Sequence, residues 1–208
     1  MSEQSAAFTL RFAEALQAAT LLHAGQHRKG TNIPYISHLL GVAAFAMYYG
    51  ADEEEAIGAL LHDAIEDAPE PLEADGVRRY IHFRFGERVL QIVEGCTDSD
   101  VNPKPPWLER KKAYLAKVEN EPPSVLLVSA CDKLHNASSI LTDHRRIGDQ
   151  VWARFKASKE GVIGYYRGLV QAFQRTGHHD ELVRELDRVV TEIENATGCK
   201  GVWPPLEK

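Results

Sequence analysis

The sequence predicts an all-α fold, and three observations carry that reading. Apolar residues recur three and four positions apart along nearly all of the 208 residues, the spacing of helices that bury one face. The punctuation of a parallel sheet and the turn dipeptides of hairpins are both absent. The periodic stretches are separated by short loops marked by proline, as at Asn102-Pro103-Lys104-Pro105-Pro106 and Glu121-Pro122-Pro123.

Helices are expected over 5–25, 36–49, 53–67, 75–84, 86–97, 107–119, 123–143, 150–176 and 178–197. The first rests on its periodicity alone. Ser37 is an N-cap candidate for the second, and Asp52 for the third. The third continues through Ala56-Ile57-Gly58-Ala59-Leu60-Leu61-His62-Asp63-Ala64-Ile65-Glu66-Asp67, apolar at helical intervals. The two proline-rich loops bound the helix over 107–119. The only β-like stretch is Ser124-Val125-Leu126-Leu127-Val128-Ser129. Its continuation into Ala130-Cys131-Asp132-Lys133-Leu134-His135-Asn136-Ala137 has helical spacing, so 123–143 is expected to be one buried helix. The last two helices complete the bundle.

Length and composition, with 44% hydrophobic and 26% charged residues, fit one soluble domain spanning 1–208. Its core is expected at about 10–175, with a C-terminal helix and tail over 178–208. The net charge of −6 argues against a nucleic-acid-binding surface, so an anionic substrate needs local positive charge. Cys96, Cys131 and Cys199 are widely spaced and read as reduced thiols. No apolar run reaches the ~18 residues of a membrane span. Met1-Ser2-Glu3-Gln4-Ser5 lacks the basic start and apolar core of a signal peptide, so the expected location is cytoplasmic. The oligomeric state is not legible.

His62-Asp63 is the most informative pair. Burying a histidine beside an aspartate costs several kcal/mol unless something compensates them, and a divalent metal would. Adjacent helical residues point about 100° apart, so further ligands must come from other elements. His38, in the first turn of an amphipathic helix, and Asp132, on the buried helix, are the candidates. Two imidazoles and two carboxylates suit Mn²⁺, Fe²⁺, Co²⁺ or Zn²⁺ better than Ca²⁺. Each residue alone has a plainer reading, since a lone histidine on an apolar face is more often a hydrogen-bonded core residue. Asp132 is harder to dismiss, because isolated carboxylates are rarely buried.

Glu66 and Asp67 follow His62 and Asp63 by four residues, one turn away on a continuous helix. They could hold a water there, or form a solvated helix end. Arg28-Lys29-Gly30 could receive a phosphate or stack on a base, or lie in solvent. Asn136 and Ser139 share the Asp132 face of their helix and could bond a substrate. Lys133 is expected off that face, Arg110-Lys111-Lys112 in solvent, and Tyr165-Tyr166 in the core.

Four segments in this order resemble a known family: Ala24-Gly25-Gln26-His27-Arg28-Lys29-Gly30, Pro34-Tyr35-Ile36-Ser37-His38, Leu60-Leu61-His62-Asp63-Ala64-Ile65-Glu66-Asp67 and Cys131-Asp132-Lys133-Leu134-His135-Asn136. They look like the hydrolase domain of the Rel/Spo alarmone enzymes, within the HD superfamily of metal phosphohydrolases. The resemblance runs from about residue 10 to about 175 and implies a single-domain HD-type helical bundle. It implies a small alarmone hydrolase that removes the 3′-pyrophosphate of ppGpp or pppGpp with Mn²⁺. His38, His62, Asp63 and Asp132 would be metal ligands. Glu66 and Asp67 would be the pair that activates or positions water. Arg28, Lys29, Tyr35 and Asn136 would contact substrate, and His23 would be structural.

The sequence departs from the family pattern where Leu39 follows His38 in place of a common proline. The loop from Arg28 to His38 is one residue longer, and Ala137-Ser138-Ser139 replaces a bulkier stretch. None of these is a metal position, but all bear on base choice. The same chemistry on (p)ppApp, a nucleoside monophosphate or NADPH is therefore the alternative. A non-catalytic alarmone-binding module should lack one of the six metal and acid residues, and all six are present.

Overall fold

A computed structural model describes residues 8–101 and 103–204. The expectations for the N-terminal pentapeptide, the helix start at residue 5, Asn102 and the chain's last four residues lie outside them. Among the described residues the fold is all-α, as expected: α1 (Leu10–Leu22), α2 (Ile36–Tyr48), α3 (Glu53–Leu61), α4 (Glu73–Phe85), α5 (Glu87–Cys96), α6 (Trp107–Val118), α7 (Pro123–Ile147), a 3₁₀ segment (Gly148–Arg154), α8 (Lys159–Thr176) and α9 (Asp180–Thr197). The extended pairing that occurs is one isolated bridge, His27 with Pro34, in the loop before α2. No helix among these residues is long and apolar enough to cross a membrane.

The central element is α7, which packs against α2, α3, α5, α8 and α9. Val125 through Asp132 are all buried, so this helix is enclosed on every side along two turns. That is why its sequence reads as an unbroken, strand-like apolar run. It begins with Pro123 in its first turn, where a missing N–H costs nothing, and ends at Gly148, whose φ of 59° suits glycine. It is four residues longer than 123–143. Asp52 caps α3 in a reciprocal capping box with Glu55, as its position predicts. Close approach of α3 to α5 depends on Gly58, where a Cβ would lie 2.6 Å from Ile92 Cγ2.

Several expected boundaries move. The third helix stops at Leu61, six residues short, because the His62 ring donates from Nδ1 to the Ala59 carbonyl that should accept from Asp63. The chain continues as turns, with Ala64 N–H on Leu61 O and Asp67 N–H on Asp63 O. Helix 150–176 is in fact a 3₁₀ segment and α8, separated because Ser158 accepts from Gly161 N–H and starts a new helix. Ser37 does not cap α2; it lies within the helix and its hydroxyl donates to Pro34 O. α1 ends at Leu22, before Gly25 takes a φ of 75°.

Candidate metal centre and cavity

Three helices deliver the candidate ligands. The first turn of α2 carries His38, the end of α3 is followed by His62 and Asp63, and mid-α7 carries Asp132. His38 is 1% exposed, His62 2% and Asp132 6%. Ligand-capable atoms of these three lie within 4.8 Å of one another, so they can hold a divalent ion. Asp63 sits at the edge, with Oδ2 3.0 Å from His62 Nε2 and 3.6 Å from His38 Nε2. That oxygen also accepts from the Tyr35 hydroxyl at 2.6 Å.

The protons at His62 are decided by its surroundings. A carbonyl can only accept, so Nδ1 donates to Ala59 O at 2.8 Å and carries a proton. In the neutral ring Nε2 then presents a lone pair toward two carboxylates. This nitrogen is buried and makes no hydrogen bond; Asp63 Oδ2 is near but out of line. A lone pair facing carboxylates is satisfied by a proton or a metal ion between them, and the donor set can hold a divalent ion. Positive charge is favoured here: burial opposes charge on His62, but Asp63 and Asp132 outweigh it and raise the pKa to about 10. The carboxyls of Asp63 and Asp132 are held well below their usual range. Burial opposes this too, but His62 outweighs it at Asp63, and Lys133 with the histidines does so at Asp132.

Around the cluster, Asn136 Nδ2 donates to Asp132 Oδ1 at 2.5 Å, and Asn136 Oδ1 accepts from the Arg28 guanidinium. Arg28 also lies over the Tyr35 ring, 5.6 Å from its centroid. Asp67 accepts from Gln26 Nε2 at 2.8 Å, and Gln26 Oε1 contacts His23 Nδ1 at 2.6 Å. Glu66 accepts from Lys104 Nζ at 2.8 Å and from Asp98 N–H. Glu66 and Asp67 therefore belong to a tied turn beside the cluster, not to a regular helix or a solvated end. Ser139 shares the cavity, but its hydroxyl donates to its own helix at His135 O.

Asp63 and Asp132 border one cavity of about 640 Å³ with Arg28, Tyr35, Glu66, Asp67, Asn136 and Ser139, together with Lys29, Trp107, Phe155, Tyr165 and Tyr166, while His38 and His62 lie behind its wall. Eight lysines and arginines line it against six carboxylates, so its wall is locally positive on a chain of net charge −6.

Three features escaped the sequence reading. Lys133 does not point away: its Nζ lies 2.5 Å from Asp132 Oδ2 and 4.8 Å from the Tyr114 ring centroid. The only hint was adjacency, since a long lysine stem can fold back toward its neighbour. Arg110 and Lys111 face inward and pair with Asp98, leaving only Lys112 exposed. His135 contacts His38, Nδ1 to Nδ1, at 2.9 Å. Burial and the His38 ring push its own pKa down to about 4, so it is neutral. Tyr165 and Tyr166 are buried as expected, and both line the cavity.

The chain is 37% identical over 118 residues to a guanosine-3′,5′-bis(diphosphate) 3′-pyrophosphohydrolase of Aquifex aeolicus, covering 56% of this chain and 16% of that protein. It is 35% identical over 133 residues to a GTP pyrophosphokinase of Streptomyces coelicolor, covering 62% and 14%. The chain thus matches less than a fifth of these relatives' length. Among solved structures, a metazoan SpoT ortholog described as hydrolysing ppGpp superposes with a TM-score of 0.71 at 23% identity, covering 90% of this chain and 97% of that one. The lmo0812 protein of Listeria monocytogenes superposes at 0.63 and 24% identity, covering 77% and 99%. At these identities the likeness is one of fold. The sequence pattern of the HD domain matches residues 15–163, and the chain belongs to the HD-domain family.

Proposed function

We propose that this protein is a Mn²⁺-dependent hydrolase that removes the 3′-pyrophosphate of ppGpp and pppGpp. The observation that supports it most is the meeting of His38, His62 and Asp132 beside a positively lined cavity that also holds Glu66 and Asp67. The names of the Aquifex relative and the metazoan structure support the choice of substrate. His38, His62, Asp63 and Asp132 would hold the ion. Bound there, it would supply Lewis acidity, offsetting phosphoryl charge and making water acidic enough to attack near neutral pH.

The chain's own groups would do the rest. Glu66 and Asp67 are carboxylates that can take a proton from the attacking water. Arg28 presents a planar cation able to stack on a purine, and Lys29 a point charge for phosphate. Tyr35 and Asn136 orient Asp63 and Asp132 and reach the same cavity. About 640 Å³ suits a nucleotide-sized ligand.

The test is product analysis with added Mn²⁺ on ppGpp, ppApp and NADPH. The reading expects GDP and pyrophosphate from ppGpp, with slower turnover of the other two. No pyrophosphate release from ppGpp would overturn it, and faster turnover of ppApp or NADPH would reassign the substrate.

A further inference from the structure

The His38–His135 contact constrains where protons sit. A hydrogen bond between two imidazole nitrogens needs one donor and one acceptor. His38 Nδ1 and His135 Nδ1 are 2.9 Å apart, with ring centroids 4.8 Å apart. The other nitrogen of His38, Nε2, faces Asp132 Oδ1 at 3.2 Å, inside the proposed metal centre. A neutral ring that gives its Nε2 lone pair to a cation must carry its proton on Nδ1. His135 Nδ1 must then accept, and the His135 proton must sit on Nε2. The reverse arrangement puts the His38 proton on Nε2 and closes that nitrogen to a metal.

The space for this partner is built into the ligand's own helix. Gly41 lies one turn after His38 on α2, and a Cβ there would fall 2.3 Å from His135 Cδ2 and 2.4 Å from its Nε2. Phe45, a further turn along, meets the same ring with centroids 6.2 Å apart. So α2 carries both the candidate ligand and the seat of the ring that touches it.

We propose that His135 is a positioning residue for metal capture: it accepts the His38 Nδ1 proton, seated in the gap at Gly41, and so keeps the His38 Nε2 lone pair on the ion. This inference rests on the metal reading above.

The experiment measures Zn²⁺ affinity by chelator competition for the wild-type chain, Asp132→Ala, His135→Phe, His135→Asn and Gly41→Ala. ¹⁵N NMR of the Zn²⁺-loaded protein reads the imidazole tautomers. Loss of a partner to a ligating histidine typically weakens metal binding about 10–100-fold, the loss expected for His135→Phe and Gly41→Ala. His135→Asn, whose side-chain oxygen can accept near the Nδ1 position, should recover most of it. The spectra should show His38 protonated on Nδ1 and His135 on Nε2. Wild-type affinity in His135→Phe and Gly41→Ala, or a loaded His135 protonated on Nδ1, overturns the positioning role. Absence of stoichiometric Zn²⁺ in the wild-type chain instead overturns the metal reading. If His135→Phe does not fold, Gly41→Ala and the tautomers still decide the matter.

Discussion

Replacing Asp132 with alanine should produce two separable losses of stability. The first is metal-dependent. An ion that binds only the folded chain stabilises it by about 2.7 kcal/mol at a hundredfold excess over its dissociation constant. For a chain of this size, about 2–4 °C of melting temperature follows each kcal/mol, so Mn²⁺ should raise the wild-type Tm by roughly 5–11 °C over EDTA. Asp132→Ala should abolish that rise. The second loss persists in EDTA. Lys133 Nζ lies 2.5 Å from Asp132 Oδ2, and the two side chains are 14% and 8% exposed. Stranding one member of a buried pair costs about 3–5 kcal/mol, larger than the median surface pair by several-fold. The double change Asp132→Ala with Lys133→Met removes the stranded charge and should recover much of this second loss, but none of the Mn²⁺ response. Melting curves with Mn²⁺ and with EDTA, on all three proteins, separate the two. A full Mn²⁺ shift in Asp132→Ala would remove Asp132 from the metal centre. A double variant no more stable than the single one would refute the account of Lys133.

Three further outcomes are expected. Glu66→Gln and Asp67→Asn should lower kcat by about 10²–10⁴-fold while bound Mn²⁺, measured by elemental analysis, stays stoichiometric; loss of metal from both would make them ligands or supports. Arg28→Ala should raise KM for ppGpp more than for a base-free phosphodiester, whereas Lys29→Ala should weaken all polyphosphates alike and flatten the salt dependence of kcat/KM; unchanged kinetics would place both in solvent. Asp98 is partly buried, which opposes ionisation, but Lys111 and Arg110 prevail and lower its pKa. Its folded value lies below its unfolded one, so its contribution is present above the unfolded pKa and is lost as pH falls through the folded one. Asp98→Asn should therefore lower Tm at pH 7 and leave a shallower acid-side decline, a result that a pH series of melting curves can contradict.

Much of this molecule was legible before any coordinates. Helical spacing is a local property, so the all-α class and the existence of most helices could be read directly, and Asp52 marked the start of α3. The meeting of His38, His62 and Asp132 was also legible, because they are polar residues set in apolar stretches, where few side chains tolerate burial without a partner. The end of α3 was not, since it depends on the His62 ring turning back to a carbonyl three residues earlier. Neither was the break before α8, where Ser158 accepts from Gly161 N–H and starts a new helix.

The sequence by itself determined which stretches are buried and which polar residues in them would need a compensating partner. Tertiary structure alone decided the partners: Lys133 on Asp132, Arg28 on Asn136, His135 on His38, and Arg110 and Lys111 turned inward to Asp98. The physical reason is range. Periodicity and capping act within a few residues, whereas a side chain's hydrogen bond or ion pair depends on which helix packs beside it. Long, flexible lysines and arginines have enough reach that the direction of their Cβ does not predict where their charge ends.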